Sequence, residues 1–145
     1  MDITECKSEF EFLGSSVKKL TLTNDFINFP YGENAERFFD VEYLLHDISE
    51  HDEKMVGYVD LYVDVLLKSE EKQSKMQLVI EGCFSRNKTE NTEPPVSFES
   101  LLSVNGCALL YSVARAVLLA TTSLVFKTGS VSLPMINCYK LKRRQ

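Results

Sequence analysis

The sequence predicts an α+β fold, a four-stranded antiparallel sheet followed by one long C-terminal helix in a single domain covering residues 1–145. Three observations carry this. Apolar and polar residues alternate along separate runs between Phe10 and Phe84, the period of half-buried strands. The later runs are joined by the polar segments "SEHDEKMVG" and "SEEKQS", and short polar connections favour antiparallel neighbours. Finally, "CALLYSVARAVLLATTSLVF", Cys107 to Phe126, is far longer than a typical strand and contains a single charge, Arg115.

The first strand is expected over Ser8 to Thr23. There Phe10 and Phe12 alternate with Glu9 and Glu11, and Leu20 and Leu22 with Lys19 and Thr21. Gly14 marks a bulge between the two halves. Asn24 to Arg37 is a loop, punctuated by Pro30 and Gly32 and rich in aromatics. It is long for a connection in a compact domain, and such loops are often functional. A second strand follows over Phe38 to Ile48, with Phe39, Val41, Tyr43 and Leu45 on one face.

The third strand, Tyr58 to Lys68, has the clearest pattern. Val59, Leu61, Val63, Val65 and Leu67 line one face, and Tyr58, Asp60, Tyr62 and Asp64 the other. The fourth, Met76 to Phe84, places Met76, Leu78, Ile80 and Phe84 together. Arg86 to Pro95 is a hydrophilic linker. Ser97 then caps a helix with Glu99 in its first turn, and Asn105-Gly106 interrupts the helical pattern. Gly129 is the expected C-terminal stop. "VSLPMI", Val131 to Ile136, is short and extended, and the basic residues Lys140, Lys142, Arg143 and Arg144 form a solvated tail.

Composition narrows the function classes. The chain is 44% hydrophobic and 26% charged with a net charge of −5, so general affinity for nucleic acid is not expected. The polar, acidic start "MDITECKSEF" has no apolar core of a secretory signal. The four cysteines, Cys6, Cys83, Cys107 and Cys138, form no CxxC pair and are expected to be reduced thiols. A cytoplasmic location follows.

The apolar stretch has the ~20-residue length of a membrane span. Its central Arg115 would cost ~2.5–3.5 kcal/mol on insertion scales, and Ser112, Thr121, Thr122 and Ser123 make it more polar than a span needs. Membrane insertion is therefore not expected. An ordinary surface helix has one apolar stripe. Here Leu109, Leu110, Val113, Val117, Ala120 and Leu124 form one stripe, while Tyr111, Leu118, Leu119 and Val125 spread beyond it. Such a helix must be covered on both sides, and a sheet covers only one. A second copy of the chain is the simplest cover for the other. Leu110, Val113, Arg115, Val117 and Leu124 are the expected residues of that oligomer interface.

"NGCALLYSVARAVLLATTSLVFKTGSVSLPMIN" resembles the signature region of the SecB family of export chaperones. Asn105, Ala108, Leu109, Leu110, Arg115, Thr122, Gly129, Leu133, Pro134, Ile136 and Asn137 stand in the places of that family's pattern, and "EGCF", Glu81 to Phe84, resembles the end of its fourth strand. The characteristic Phe-Pro-Tyr of the helix is replaced by Tyr111-Ser112-Val113, and the family's second helix has no counterpart before Gln145. The resemblance implies a chaperone that holds unfolded or unassembled polypeptides without ATP, in protein export in the family's typical members, and that assembles as a dimer or a dimer of dimers. It also implies client grooves beside the loop between the first two strands. Phe26, Phe29, Tyr31 and Phe38 are then the client-binding candidates. The family meets the SecA motor through acids on its first and fourth strands. Lys19, Thr23 and Gln77 occupy those places, so SecA docking is not expected. The alternative is a dedicated interaction subunit, such as a toxin–antitoxin accessory or a scaffold, with one specific partner.

Neither catalysis nor a cofactor is expected. No nucleophile, base and oxyanion donor can be assembled, and no phosphate loop or dinucleotide fingerprint is present. "HDISEHD" supplies His46, Asp47, Glu50, His51 and Asp52, all potential metal-binding types. The spacing between its two histidines fits no helical pair, so a strand end and turn is expected there rather than a metal site. The Tyr58, Asp60, Tyr62, Asp64 face is expected to be solvated.

Overall fold

A computed structural model describes residues 9–88 and 96–145. Four long strands, β1 (Phe10–Asn24), β2 (Ala35–His51), β3 (Lys54–Ser69) and β4 (Lys72–Asn87), form an antiparallel sheet. A short β5 (Lys142–Arg143) adds to β2 in parallel, so the sheet is mixed and five-stranded, in the order β1-β4-β3-β2-β5. A continuous helix spans Phe98–Val125. It comprises α1 (Phe98–Leu101), a π-helical turn (Leu102–Gly106) and α2 (Cys107–Val125).

The strands run beyond their hydrophobic alternation. β2 and β3 continue through the polar run after Ile48 and meet in a two-residue turn, Asp52-Glu53, with His51 opposite Lys54. β3 and β4 meet at Glu70-Glu71 in the same way. Asp52 and Glu70 adopt φ of 52° and 55°, the left-handed conformation tight hairpins require. Once two strands are in register, each added pair contributes a ladder hydrogen bond, so polar residues extend the hairpin past its core. The bulge near Gly14 is present as a register shift between Phe12 and Gly14, and a second lies between Val17 and Lys19.

One face of the sheet carries the core. Val59, Leu61, Val63, Val65 and Leu67 of β3 and Met76, Leu78, Ile80 and Phe84 of β4 are all 0–1% exposed. The helix buries Leu102, Cys107, Leu110, Tyr111, Ala114, Leu118 and Thr122 against them, a stripe at helical spacing. The helix packs close to β4: a Cβ on Gly82 would lie 2.7 Å from a Leu110 methyl. Ser97 caps α1 by accepting from the Ser100 amide at 3.1 Å. The interruption expected at Asn105-Gly106 takes the form of the π turn ending at Gly106.

Three sequence expectations change. The helix ends at Val125 rather than running to Gly129, because Phe126 turns to an extended conformation and buries its ring in the core. Arg86 is not linker: it is the penultimate residue of β4, nearly buried, and donates to the Val96 carbonyl at 2.6 Å, tying β4 to the helix entrance. The basic tail is not merely solvated. Arg144 donates to Glu42 at 2.6 Å, with its guanidinium 3.8 Å from the Tyr62 ring centroid, and Arg143 pairs with Glu99 at 2.8 Å.

Candidate functional site

The loop between β1 and β2 is held by the segment that follows the helix. The Phe29 amide donates to the Thr128 carbonyl at 2.9 Å, and the Lys127 amide to the Ile27 carbonyl at 2.7 Å. The Thr128 hydroxyl donates to the Asn28 side-chain oxygen at 3.0 Å. Phe29 is the hinge of this contact. Its ring meets Phe126 edge-on at 5.5 Å and Tyr31 at 4.7 Å, and Arg37 lies 4.9 Å from its centroid. Gly129 makes the approach possible. It adopts φ of 89°, and a Cβ there would sit 2.5 Å from Phe29 Cβ. The segment is anchored to the helix in turn by Thr122. Its buried hydroxyl donates to the Leu118 carbonyl at 2.6 Å and accepts from the Val131 amide at 2.8 Å.

The four client-binding candidates therefore divide. Phe29 is 7% exposed and belongs to the core, so it anchors the loop rather than facing a client. Phe26 is half-buried against the same core. Tyr31 and Phe38 are 70% and 50% exposed, and Ile27 of the same loop is open too. Phe38 forms one wall of a groove of 260 Å³ whose other walls come from Phe39 and Asp40 of β2, Asp64, Val65 and Leu66 of β3, and Lys75 and Gln77 of β4. Phe38 stands opposite Leu66 and Asp40 opposite Asp64 across the β2–β3 ladder. The groove thus has an apolar end flanked by Lys75 and an acidic end.

A second apolar surface is absent from the sequence expectations. Phe12, Val17 and Leu20 of the edge strand β1 lie in register with the buried residues of β4, yet remain 40–48% exposed. The helix covers the β3 and β4 rows and leaves this row open. Alternation alone marks such residues as core. Only the position of the helix shows that they are not covered.

The oligomer candidates divide too. Leu110 is completely buried beneath its own sheet, so it cannot lie on a surface between copies. Leu124 is 89% exposed, with Val113 and Val117 half-buried on the same side of the helix; Leu109 is open on that side about four turns away, and Leu119 is open on a different flank. Arg115 is half-buried and donates to the Met135 thioether at 3.6 Å. By length and composition the helix could cross a membrane, but here its inner face is packed on the sheet.

The thiols are free among the described residues. Burial, reinforced by neighbouring Cys138, pushes Cys107 up to about 12, so it is a core side chain and not a nucleophile. Cys6 lies outside the described residues.

No protein-family profile matches the chain, and no curated protein matches it in sequence. Solved structures do. The Rv1957 SecB-like chaperone of Mycobacterium tuberculosis, in complex with a ChAD peptide from the Rv1956 HigA1 antitoxin, superposes with a TM-score of 0.62 at 10% identity, covering 88% of this chain and 90% of its own. The chain has the SecB-like fold. A protein of unknown function from Streptococcus agalactiae is also similar, with a TM-score of 0.52 at 11% identity over 87% of this chain and 97% of that one.

Proposed function

We propose that this chain is an ATP-independent, chaperone-like protein that holds extended apolar segments of non-native or unassembled polypeptides. The observation that carries the reading is the apolar surface left open on one well-packed sheet, namely the Phe38–Leu66 groove and the Phe12, Val17, Leu20 row. Exposed apolar surface of this kind is costly to leave in water and marks a binding region. β1 also lies at the sheet edge, where an extended segment can add as a strand and place alternate side chains on the open row. The fold shared with a SecB-like chaperone supports the same reading. The helix face that carries Val113, Val117 and Leu124 is the surface through which copies associate.

A dedicated partner is the second reading, and two observations favour it. The peptide bound by the Mycobacterium tuberculosis neighbour comes from one antitoxin. The groove here also combines the apolar Phe38 and Leu66 with Lys75 at one end and Asp40 and Asp64 at the other, a charge pattern that suits particular segments over others. Dilution of two unrelated denatured proteins into buffer with near-stoichiometric amounts of this protein, without ATP, separates the readings. A general holdase suppresses aggregation of both. Suppression of neither would remove the general function and leave the dedicated one.

A further inference from the structure

The uncovered face of the sheet brings together three side chains far apart in sequence. His46 of β2, Asp60 of β3 and Glu81 of β4 converge so that one ligand atom from each lies within 4.8 Å of the others. His46 Nε2 is 3.0 Å from Asp60 Oδ1 and 3.3 Å from Glu81 Oε2. A tetrahedral ion with bonds of ~2.0–2.2 Å to nitrogen and oxygen needs its ligands ~3.3–3.6 Å apart. The two histidine separations lie at or just inside that spacing, and all three side chains are fixed on paired strands.

The surroundings match as well. A bulge in β2 after His46 sets Asp47 at φ of 50°, with its Oδ2 2.8 Å from His46 Nδ1. That contact orients the ring so that Nε2 is turned toward Asp60 and Glu81. A carboxylate behind the histidine is the usual outer partner of a metal-bound imidazole. Tyr58 stacks on the ring at 5.4 Å and restricts its rotation. Three acidic side chains, Asp47, Asp60 and Glu81, stand around the ring. Lys18 offsets one from the far oxygen of Glu81, at 3.3 Å. Acidic side chains thus outnumber cationic side chains other than the histidine, which suits a cation. The ligand side chains are 15–26% exposed, shielded from bulk solvent but open to water at a fourth position.

We propose that His46, Asp60 and Glu81 form a binding site for a divalent transition-metal ion of the zinc type. The ion would clamp β2, β3 and β4 together on the face opposite the helix. The site is separate from the groove and does not depend on the chaperone reading.

The test is titration of the chelator-treated full-length protein with ZnCl2 by calorimetry, and with CoCl2 by absorption. One ion per chain is expected, with a rise in unfolding temperature and a cobalt spectrum lacking thiolate charge-transfer bands. His46→Gln and Glu81→Gln should each weaken binding at least tenfold, and Asp47→Asn ~10–100-fold through the lost outer contact. Circular dichroism of the three variants establishes that each is folded, and at least one folded ligand variant suffices. Three results would overturn the proposal: no stoichiometric binding by the wild type, unchanged affinity in a folded His46→Gln protein, or a thiolate band assigning the metal to cysteines. In the first case, an NMR-detected imidazolium at His46 would identify the cluster as an ion-pair network instead.

Discussion

Replacing Thr122 with Val tests how the aromatic loop is held in place. The two side chains have nearly the same shape, so the change removes a hydroxyl and little else. That hydroxyl makes two contacts of unequal consequence. Its donation to the Leu118 carbonyl is dispensable, since that carbonyl is already an acceptor in the helix ladder. Its acceptance from the Val131 amide is not, because Val131 is 1% exposed and no water can replace the partner. An orphaned buried N–H costs about 1–3 kcal/mol, and the extra buried carbon returns about 0.8 kcal/mol. A net loss of ~0.2–2 kcal/mol follows, or up to ~8 °C in unfolding temperature for a chain of this size. Denaturant unfolding measures the first quantity, and hydrogen exchange at the Val131 amide locates it. Thr122→Ser keeps the hydroxyl and should keep the amide protected. If Thr122→Val unfolds at the wild-type denaturant concentration and its Val131 amide stays protected, the anchoring argument is wrong.

Further predictions concern the groove, the helix and the tail. Phe38→Ser combined with Leu66→Ser should weaken binding of an apolar polypeptide severalfold with little change in stability, as both side chains face the groove; unchanged binding in a fluorescence titration would move the client site elsewhere, first to the β1 row. Leu124→Asp places a charge on the outward helix face, and light scattering should then report a smaller assembly than the wild type, whereas an identical mass would exclude that face. The Arg144 hydrogen bond, against a smaller opposing effect of desolvation, holds the Glu42 carboxyl below its ordinary value. A depressed folded value means that this contribution to tail docking is present above the unfolded glutamate value and is lost as pH falls through the folded one. Amide signals of residues 142–144 should therefore shift toward unstructured positions in acid, and a tail that stays docked there would show that its backbone bonds and the Arg144–Tyr62 contact suffice to hold it.

The sequence made the sheet legible because half-buried strands carry their own record. A residue's face follows from its parity, so the inner rows of β3 and β4 could be assigned before any pairing was known. The helix was legible in extent but not in orientation. Leu109, Leu110, Val113 and Val117 are equally apolar, and only contact with β4 selects Leu110 for the inside. The same limit explains the loop. Phe26, Phe29, Tyr31 and Phe38 are indistinguishable as aromatic side chains, yet a hydrogen bond from Phe29 to Thr128, almost a hundred residues away, sends that one ring inward. The polar cluster lay further out of reach. His46, Asp60 and Glu81 sit on three strands, and they meet only because the β2–β3 and β3–β4 registers align them; slipping a register by one residue would turn one of them to the opposite face. Within "HDISEHD" the sequence offered His46 and His51 as neighbours, but His51 bonds Ser49 while His46 faces Asp60 and Glu81 across the sheet. Local spacing identifies sites built on one helix or one turn. A site built across strands is encoded in register, which depends on the whole sheet.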